Sequence, residues 1–380
     1  MRKLPEEGTP EFDEIKEWFK CGKDYLIIAK YNVSQSTIRH TFAGLKRYPL
    51  GPQEQPLEDL EAQVLGLLKK QSCSVGTLSR LINPPLGVSR ETVIKLVDSL
   101  RAKHYQVELD EATKEVSVPD IPTKEFEPTQ FQYYRKVYKI GFASDTHIGS
   151  KYSQMSLLYD AYSIFDDNKV DFIIHPGDLF DGNGMYRGHD QEVFLHGAKE
   201  QREYARDNYP KSRRGIKTYV IGGQHDRSFY KHQGYDILEH LCEERDDLVY
   251  RGFYKATYQI KDVIIEAQHP GGGVSYARSY RPQKIVENMV GSLIYVEGVP
   301  IPHIVAFGHW HIPLHLPLYM GVDVIACPCF QRQTPYLEQL GLMPVVGCAI
   351  ATITLDEVGK LSSTKVEFVN MNHRIIEKDY

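Results

Sequence analysis

Tyr138-Lys139-Ile140-Gly141-Phe142-Ala143-Ser144 runs directly into Asp145-Thr146-His147-Ile148-Gly149: an apolar, strand-like run that ends on a carboxylate and an imidazole. Four later stretches repeat this layout. Val170–Ile174 leads to Gly177-Asp178-Leu179-Phe180-Asp181, and Thr218–Ile221 leads to Gly222-Gly223-Gln224-His225-Asp226. Val263–Ala267 leads to Gln268-His269-Pro270, and Ile304–Phe307 leads to Gly308-His309-Trp310-His311. Carboxylates and imidazoles are the ligands that divalent transition metals favour. On an extended chain, residues separated by one point to the same face. Asp145/His147 and His309/His311 are therefore each expected to present two ligands to one site. Adjacent glycines let the backbone turn tightly, and loops at strand ends are the usual place for such sites. A lone pair of this kind is mostly a satisfied surface pair. Five in order, all at strand ends, outweigh that reading. His175, His196, His303 and His315 lie outside the pattern and read as structural or surface histidines, whereas His189 is the best of this group for a substrate contact.

Around these runs, from about Val137 onward, short apolar segments alternate with helix-like windows, the texture of an α/β or α+β domain. The 380 residues are 42% hydrophobic and 25% charged, which excludes disorder or low complexity as a description of the whole. The net charge of −5 excludes a generally basic nucleic-acid binder, so any such contact needs a local patch. No apolar run approaches the ~18 residues of a membrane span. Met1–Glu7 has no apolar h-region, so no signal peptide is expected. The six cysteines form neither a disulfide framework nor paired zinc spacing. They read as reduced thiols of a cytoplasmic protein.

The amino-terminal third divides into two expected domains and a link. Residues 1–50 suggest a helix-turn-helix-like domain. Helical spacing runs over Glu11–Lys20 and Asp24–Lys30, followed by a break at Tyr31-Asn32-Val33. Ser34 is then a natural cap for a helix running to about Arg47. Ile28 stands where such motifs usually have a small residue. Residues 19–50 carry Lys20, Lys23, Lys30, Arg39, Lys46 and Arg47 against Asp24, a net of +5. Ser34, Gln35, Thr37, Arg39, His40, Lys46 and Arg47 are the expected DNA contacts, with a plain helical bundle as the competing reading. Residues 57–118 suggest a winged-helix-like domain: helices over Leu60–Leu68, Val75–Leu81 and Ser89–Lys103, then a hairpin of Tyr105–Leu109 and Lys114–Val118. Because residues 1–125 hold 18 basic and 19 acidic side chains, this domain reads equally as a DNA-binding or a protein-docking unit. Residues 119–136 read as a proline-bearing linker, and 137–375 as the domain that carries the chemistry.

The ordered set D-x-H, G-D-x-x-D, G-Q-H-D, H and G-H-x-H resembles the calcineurin-like metallophosphoesterase superfamily. The resemblance covers about residues 137–370 and implies a four-layer α/β/β/α sandwich. It implies two divalent metal ions: Asp145, His147, Asp178 and His311 on one, and Asp178, Gln224, His269 and His309 on the other. Manganese is the expected activator, with iron, zinc, magnesium or nickel as alternatives. His225 would donate a proton or stabilise the transition state, and Asp181 would orient it. Two close cations would generate hydroxide from a bridging water and clamp the phosphoryl oxygens for in-line attack. Gln224 departs from the family's Asn. Its amide oxygen sits one methylene further out, so either the loop shifts to bring it to the same point or the second metal is held less tightly.

Two further runs look like one branch of that superfamily: His269–Gly273 with Ser279-Tyr280-Arg281-Pro282, and Cys329-Phe330-Gln331-Arg332-Gln333-Thr334-Pro335. The branch holds archaeal D-family DNA polymerase small subunits and double-strand-break repair nucleases. It implies a metal-dependent phosphodiesterase acting on DNA, as exo- or endonuclease. It also brings homodimerisation and an ATPase or polymerase partner as expectations, with no membrane association. The alternatives are a DNA-binding scaffold or polymerase-associated subunit with a weak or silent core, and a phosphomonoesterase or cyclic-nucleotide phosphodiesterase. Residues 182–210, with a helix-like Glu192–Arg206, are expected as an insert over the site. Arg187, Arg213, Arg214, Arg227, Arg278, Arg281 and Arg332 are candidate phosphate contacts.

Overall fold

The computed structural model describes the chain except residues 1–3, 6–7, 21–23, 32, 34, 46–56, 69–70, 85–86, 104, 106, 119–125, 133–134, 274–276 and 295–298. It divides into two compact units, Met1–Leu60 and Glu61–Tyr380. In the first, α1 (Pro10–Lys20), α2 (Asp24–Tyr31) and α3 (Gln35–Thr41) enclose a small core. Phe12, Ile15, Phe19, Ile27, Ile38 and Phe42 fill it. Helical spacing explains this: Phe12, Ile15 and Phe19 recur on one face of α1. α3 buries Ile38 and leaves Thr37, Arg39 and His40 exposed. It ends at Thr41 rather than near Arg47, because the chain turns over 42–44 through Gly44 at φ +86°. Ser34, Lys46 and Arg47 lie outside the described residues, and of Gln35 only the backbone is described.

Next come α4 (Leu57–Leu68), β1 (Cys73–Ser74), α5 (Val75–Leu81), α6 (Arg90–Ala102), β2 (Glu108–Asp110) and β3 (Glu115–Ser117). The helices and hairpin lie where the apolar periodicity puts them. Ser89 caps α6 by accepting Thr92 N at 3.0 Å. The two-residue β1, too short to leave a periodic signal, completes a three-stranded sheet of order β1-β3-β2.

The segment expected as a linker contributes a strand, β4 (Thr129–Phe131). It pairs parallel to the strand segment Tyr258-Gln259-Ile260 and buries Phe131, which stacks on Phe172 at 4.0 Å between ring centroids. Burial of that ring outweighs the polar, proline-bearing texture of the segment. The rest runs β5 (Val137–Phe142), α7 (Met155–Asp167), β6 (Phe172–His175), α8 (Ala198–Asn208), β7 (Thr218–Gly222), α9 (Gln224–Gln233), α10 (Ile237–Glu244), β8 (Leu248–Phe253), β9 (Lys255–Ile260) and β10 (Val263–Gln268). It continues through α11 (Tyr280–Leu293), β11 (Ile304–Phe307), β12 (Leu314–Tyr319), β13 (Val322–Ala326), α12 (Pro335–Gln339), β14 (Gly347–Leu355) and β15 (Leu361–Asn370).

Among the described residues these strands form two six-stranded sheets, β15-β14-β5-β6-β7-β8 and β12-β13-β11-β10-β9-β4. Alternation along the strands dictates the layering. Ile140, Phe142, Phe172 and Ile174 of the first sheet meet Ile265, Ala267, Ile304 and Ala306 of the second in one core. Ile173 and Val220 face the other way, against Leu158 and Phe165 of α7 and Leu238 and Leu241 of α10. Val305 and Phe307 pack against Val286 and Val290 of α11. The result is a four-layer α/β/β/α arrangement. In the expected insert, α8 starts at Ala198, not Glu192. Gly197 precedes its first turn, and the Glu200 carboxylate accepts His196 N at 3.1 Å.

Candidate metal centre

Five strands deliver the chemistry. β5, β6 and β7 are parallel neighbours in one sheet, and β10 and β11 are parallel neighbours in the other. Their carboxyl ends therefore open on a common edge, where the loops carry Asp145 and His147, Asp178 and Asp181, Gln224 and His225, His269, and His309 and His311. Ligand atoms of Asp145, His147 and His311 lie within 4.8 Å of one another, and so do those of Asp178, His269 and His309.

The pairs do not meet through strand alternation. Asp145 and His147 have φ of 51° and 45°, Asp178 51°, and His309 and His311 83° and 57°. Left-handed backbone is costly for such residues and is held only where the surroundings over-determine it. The loops supply that restraint. Asp145 N donates to Gly177 O at 3.1 Å, and His147 N donates to Asp178 O at 3.2 Å. His309 N donates to both carboxylate oxygens of Asp145, at 2.9 and 3.1 Å.

His147, His269 and His309 each have one nitrogen committed to an oxygen, which determines what the other can do, whereas His311 Nδ1 has no hydrogen-bond partner. His147 Nδ1 donates to Asp181 Oδ1 at 3.0 Å, leaving Nε2, which lies 3.2 Å from His311 Nε2. His269 Nδ1 donates to Pro176 O at 2.7 Å, leaving Nε2 at 3.0 Å from Asp178 Oδ2 without a well-directed hydrogen bond. His309 Nε2 donates to Gly272 O at 2.9 Å, leaving Nδ1. The buried Gln224 Oε1 has no partner, so the longer amide presents an uncommitted acceptor. This donor set fits divalent metal: two clusters of converging N and O atoms with their other sides tied down. Gly223 makes room for it, since a Cβ there would lie 2.2 Å from Asp178 Oδ1.

The charges are interdependent. Burial alone would raise Asp145 and Asp178, but His311 and His269 beside Asp145, and His269, His225 and His147 beside Asp178, hold both carboxyls well below the usual range. His269 would be lowered by burial but is carried up to about 9 by Asp178. His225 is pushed down to about 4 by burial, against the pull of Asp178.

Asp181 differs from its expected role. Its carboxylate serves His147 and Gln331 Nε2, the latter at 3.3 Å, while His189 Nε2 stands 3.2 Å from its other oxygen without a well-directed hydrogen bond. His225 is held instead by the Asp181 backbone carbonyl, 2.6 Å from Nδ1, while the carboxylate stands 3.8 Å away. His189, expected as a substrate contact, is 1% exposed and braces Asp181. Three supporting residues had no role assigned from sequence. Gln331 links Asp181 to Ser150, Gln201 ties Gly182 and Leu195 to α8, and the Asp226 carboxylate accepts the N–H groups of Gly223, Leu179 and Phe180. Gln331 and Asp226 sit inside the quoted motif runs, which is the signal that could have found them. Gln201 has no such marker. Of the candidate arginines, Arg213 is paired with Asp166 and Asp167, Arg332 donates to Glu377 O, and Arg281 reaches to Gly272.

Residues 138–313 match the family model described as calcineurin-like phosphoesterase. The chain is similar to the DNA polymerase II small subunit of Methanothermobacter thermautotrophicus, 25% identical over 259 residues, covering 55% of this chain and 51% of the relative. It is similar to the protein of the same description from Archaeoglobus fulgidus, 25% identical over 267 residues, covering 60% and 53%. A shorter stretch of 94 residues is 36% identical to the DNA double-strand break repair protein Mre11 of Thermoplasma acidophilum, covering 22% of each. The chain spans about half the length of the two polymerase subunits it matches. No helix among the described residues is long and apolar enough to cross a membrane.

Proposed function

We propose that this chain, whose residues 138–313 match the family model described as calcineurin-like phosphoesterase, is a metal-dependent phosphodiesterase acting on DNA. The observation that carries the reading is the convergence of Asp145/His147/His311 and Asp178/His269/His309 where the strand ends of the two sheets face each other. Asp145, His147, Asp178 and His311 would hold one divalent ion, and Asp178, Gln224, His269 and His309 the other. Bound there, the ions would supply Lewis acidity to a phosphoryl group and acidify water. The chain's own part is positioning. Asp181, braced by His189 and Gln331, sets the His147 ring. The Asp181 carbonyl takes the His225 Nδ1–H and turns Nε2 toward the leaving oxygen. A bound phosphate's negative charge would favour the doubly protonated ring, and that imidazolium is the form that can donate from Nε2. Asp226 ties the β7–α9 turn to the Asp178 loop, so the two loops cannot drift apart independently.

The amino-terminal unit is proposed as the tether, with Thr37, Arg39 and His40 exposed on α3, and Ser34, Gln35, Lys46 and Arg47, their neighbours in sequence, as further DNA contacts. The α5–α6 pair and its hairpin are proposed as a winged-helix-like module. Substituting Arg39 and Lys46 together by alanine should weaken DNA binding uniformly across sequences and flatten its salt dependence. Unchanged binding would remove the tether from the proposal. The deciding experiment on the reaction presents manganese-loaded protein with end-labelled single- and double-stranded DNA, with RNA and with bis-p-nitrophenyl phosphate. Cleavage of DNA is expected, and hydrolysis of the bis-ester alone would sink the nuclease assignment. A second reading, a polymerase-associated subunit with a weak core, is favoured by the descriptions of the two broader relatives. It predicts DNA binding without cleavage under the same conditions.

A further inference from the structure

Beside the metal centre lies a cavity of about 420 Å³, built by the segment between β13 and β14. His309 and His311 line it with Trp310 between them, so the cavity and the candidate metal site share a wall. Leu337, Leu340, Leu342 and Met343, from α12 and the turn after it, line it as well. Arg278 is the lining's one fully cationic side chain among the described residues. The space is thus polar where it adjoins the metal ligands and apolar elsewhere. Such a shape suits a ligand carrying a phosphate next to a flat apolar ring.

The apolar wall is also firmly placed. Thr334 caps α12 by accepting Leu337 N at 3.2 Å, and Pro335 opens the helix. Tyr336 stacks on Tyr186 of the 182–197 segment, 4.1 Å apart and 14° from parallel. Tyr186 meets His189 edge-on at 4.8 Å, and His189 braces Asp181. One run of contacts therefore joins the cavity wall to the group that sets His147. Meanwhile Leu340 and Met343 remain 47% and 56% exposed, which is apolar surface beside a polar site with nothing yet covering it.

We propose that this cavity seats the nucleobase adjoining the scissile phosphate, which deepens the DNA phosphodiesterase reading and rests on it. The shared His309–His311 wall requires ring and phosphate to be close neighbours within one ligand, as they are in a nucleotide. Trp310 and Tyr336 supply aromatic surface that any base can use, so the seat is tolerant of sequence.

The chain has two tryptophans, Trp18 and Trp310, so Trp18→Phe leaves Trp310 as the sole indole reporter. Its fluorescence is followed in manganese-loaded protein against deoxyadenosine monophosphate, deoxyribose 5-phosphate and dodecyl phosphate. The nucleotide should bind at least about ten-fold more tightly than the bare sugar phosphate, the worth of one stacked base. Leu340→Asp with Met343→Asp, both on exposed side chains and checked for an unchanged melting curve, should abolish that preference and leave sugar-phosphate binding within about two-fold. Equal affinity for nucleotide and sugar phosphate overturns the proposal, as does tighter binding of dodecyl phosphate. Failure of all three to bind also overturns it, and leaves a protein partner as the cover of this face. An end-labelled DNA carrying one abasic residue separates this inference from the reading beneath it. If the DNA is cut equally well beside the abasic residue, the base seat is wrong and the nuclease stands. If the nucleotide preference holds but no DNA is cut, the nuclease assignment fails and a nucleotide seat remains.

Discussion

Replacing Gly223 by alanine puts a methyl carbon 2.2 Å from Asp178 Oδ1 and 2.7 Å from His269 Nε2. Gly223 has φ −110° and ψ −165°, which alanine adopts freely, so the perturbation falls on those two side chains and not on the backbone. Non-bonded contacts to carbon settle at about 3.5 Å, so the overlap with the carboxylate exceeds about 1 Å. Asp178 is 1% exposed and its Oδ1 accepts His225 N at 2.9 Å, so it cannot turn aside without losing that bond. Overpacking of this kind costs about 1–3 kcal/mol, and the variant should still fold, with a melting point lower by several degrees. Metal binding should suffer more. Wild-type protein at a metal concentration 100 times its Kd gains about 2.7 kcal/mol, a rise of roughly 5–10 °C in melting temperature. In Gly223→Ala that rise should largely vanish, and calorimetric titration should show the manganese site containing Asp178 and His269 weakened by at least about 100-fold. A folded variant that binds two manganese ions with wild-type affinity would refute the placement of Asp178 and His269 on a shared ion.

His225→Ala should keep the metal-induced rise in melting temperature while turnover of bis-p-nitrophenyl phosphate falls by about 10²–10⁴. Unchanged turnover would rule out His225 as proton donor. Gln331→Met keeps the volume but removes the donor to Ser150 and Asp181, so metal affinity measured by titration should fall about ten-fold or more. Wild-type affinity would show that the Asp181 carboxylate is held without it. Asp236, the buried cap of α10, is pushed up to about 6 by burial, against hydrogen bonds from Tyr250, Leu238 and Glu239. A carboxyl raised above its unfolded value destabilises its charged form, so this penalty is absent below about pH 4 and grows as pH rises through about 6. Asp236→Asn keeps a capping oxygen and should therefore be more stable than wild type at pH 8, by of order 2 kcal/mol, with the difference gone near pH 4. Denaturant midpoints that shift equally at both pH values would contradict it.

Much of the site was legible because its residues lie in short runs beside strands whose apolar texture is itself legible. Asp145, His147 and His311 gather in one group, and Asp178, His269 and His309 in another. The local argument for how they meet was incomplete, since five of them sit in left-handed backbone that no period-2 pattern encodes. The supports around them left little trace. His189 lies 8 positions from Asp181 and Gln331 lies 150 away, and neither falls on a repeating face. β4 was hidden for a similar reason: its three residues carry one ring, Phe131, whose partner Phe172 is 41 positions on.

Residue type and spacing, taken alone, determined the alternation of strands and helices, the ends of strands at which ligands appear, and the cap on α6. These depend on neighbours within a few residues, where propensity and periodicity act directly. Only the tertiary structure decided that two separate parallel edges face each other, so that Asp178 meets His269 and Asp145 meets His311. It also decided that Asp181 serves His147 rather than His225 with its carboxylate, and that α12 closes an apolar cavity against Trp310. Those contacts join residues 91 positions apart for Asp178 and His269 and 166 apart for Asp145 and His311, and their free energy exists only once the two sheets have buried their common core.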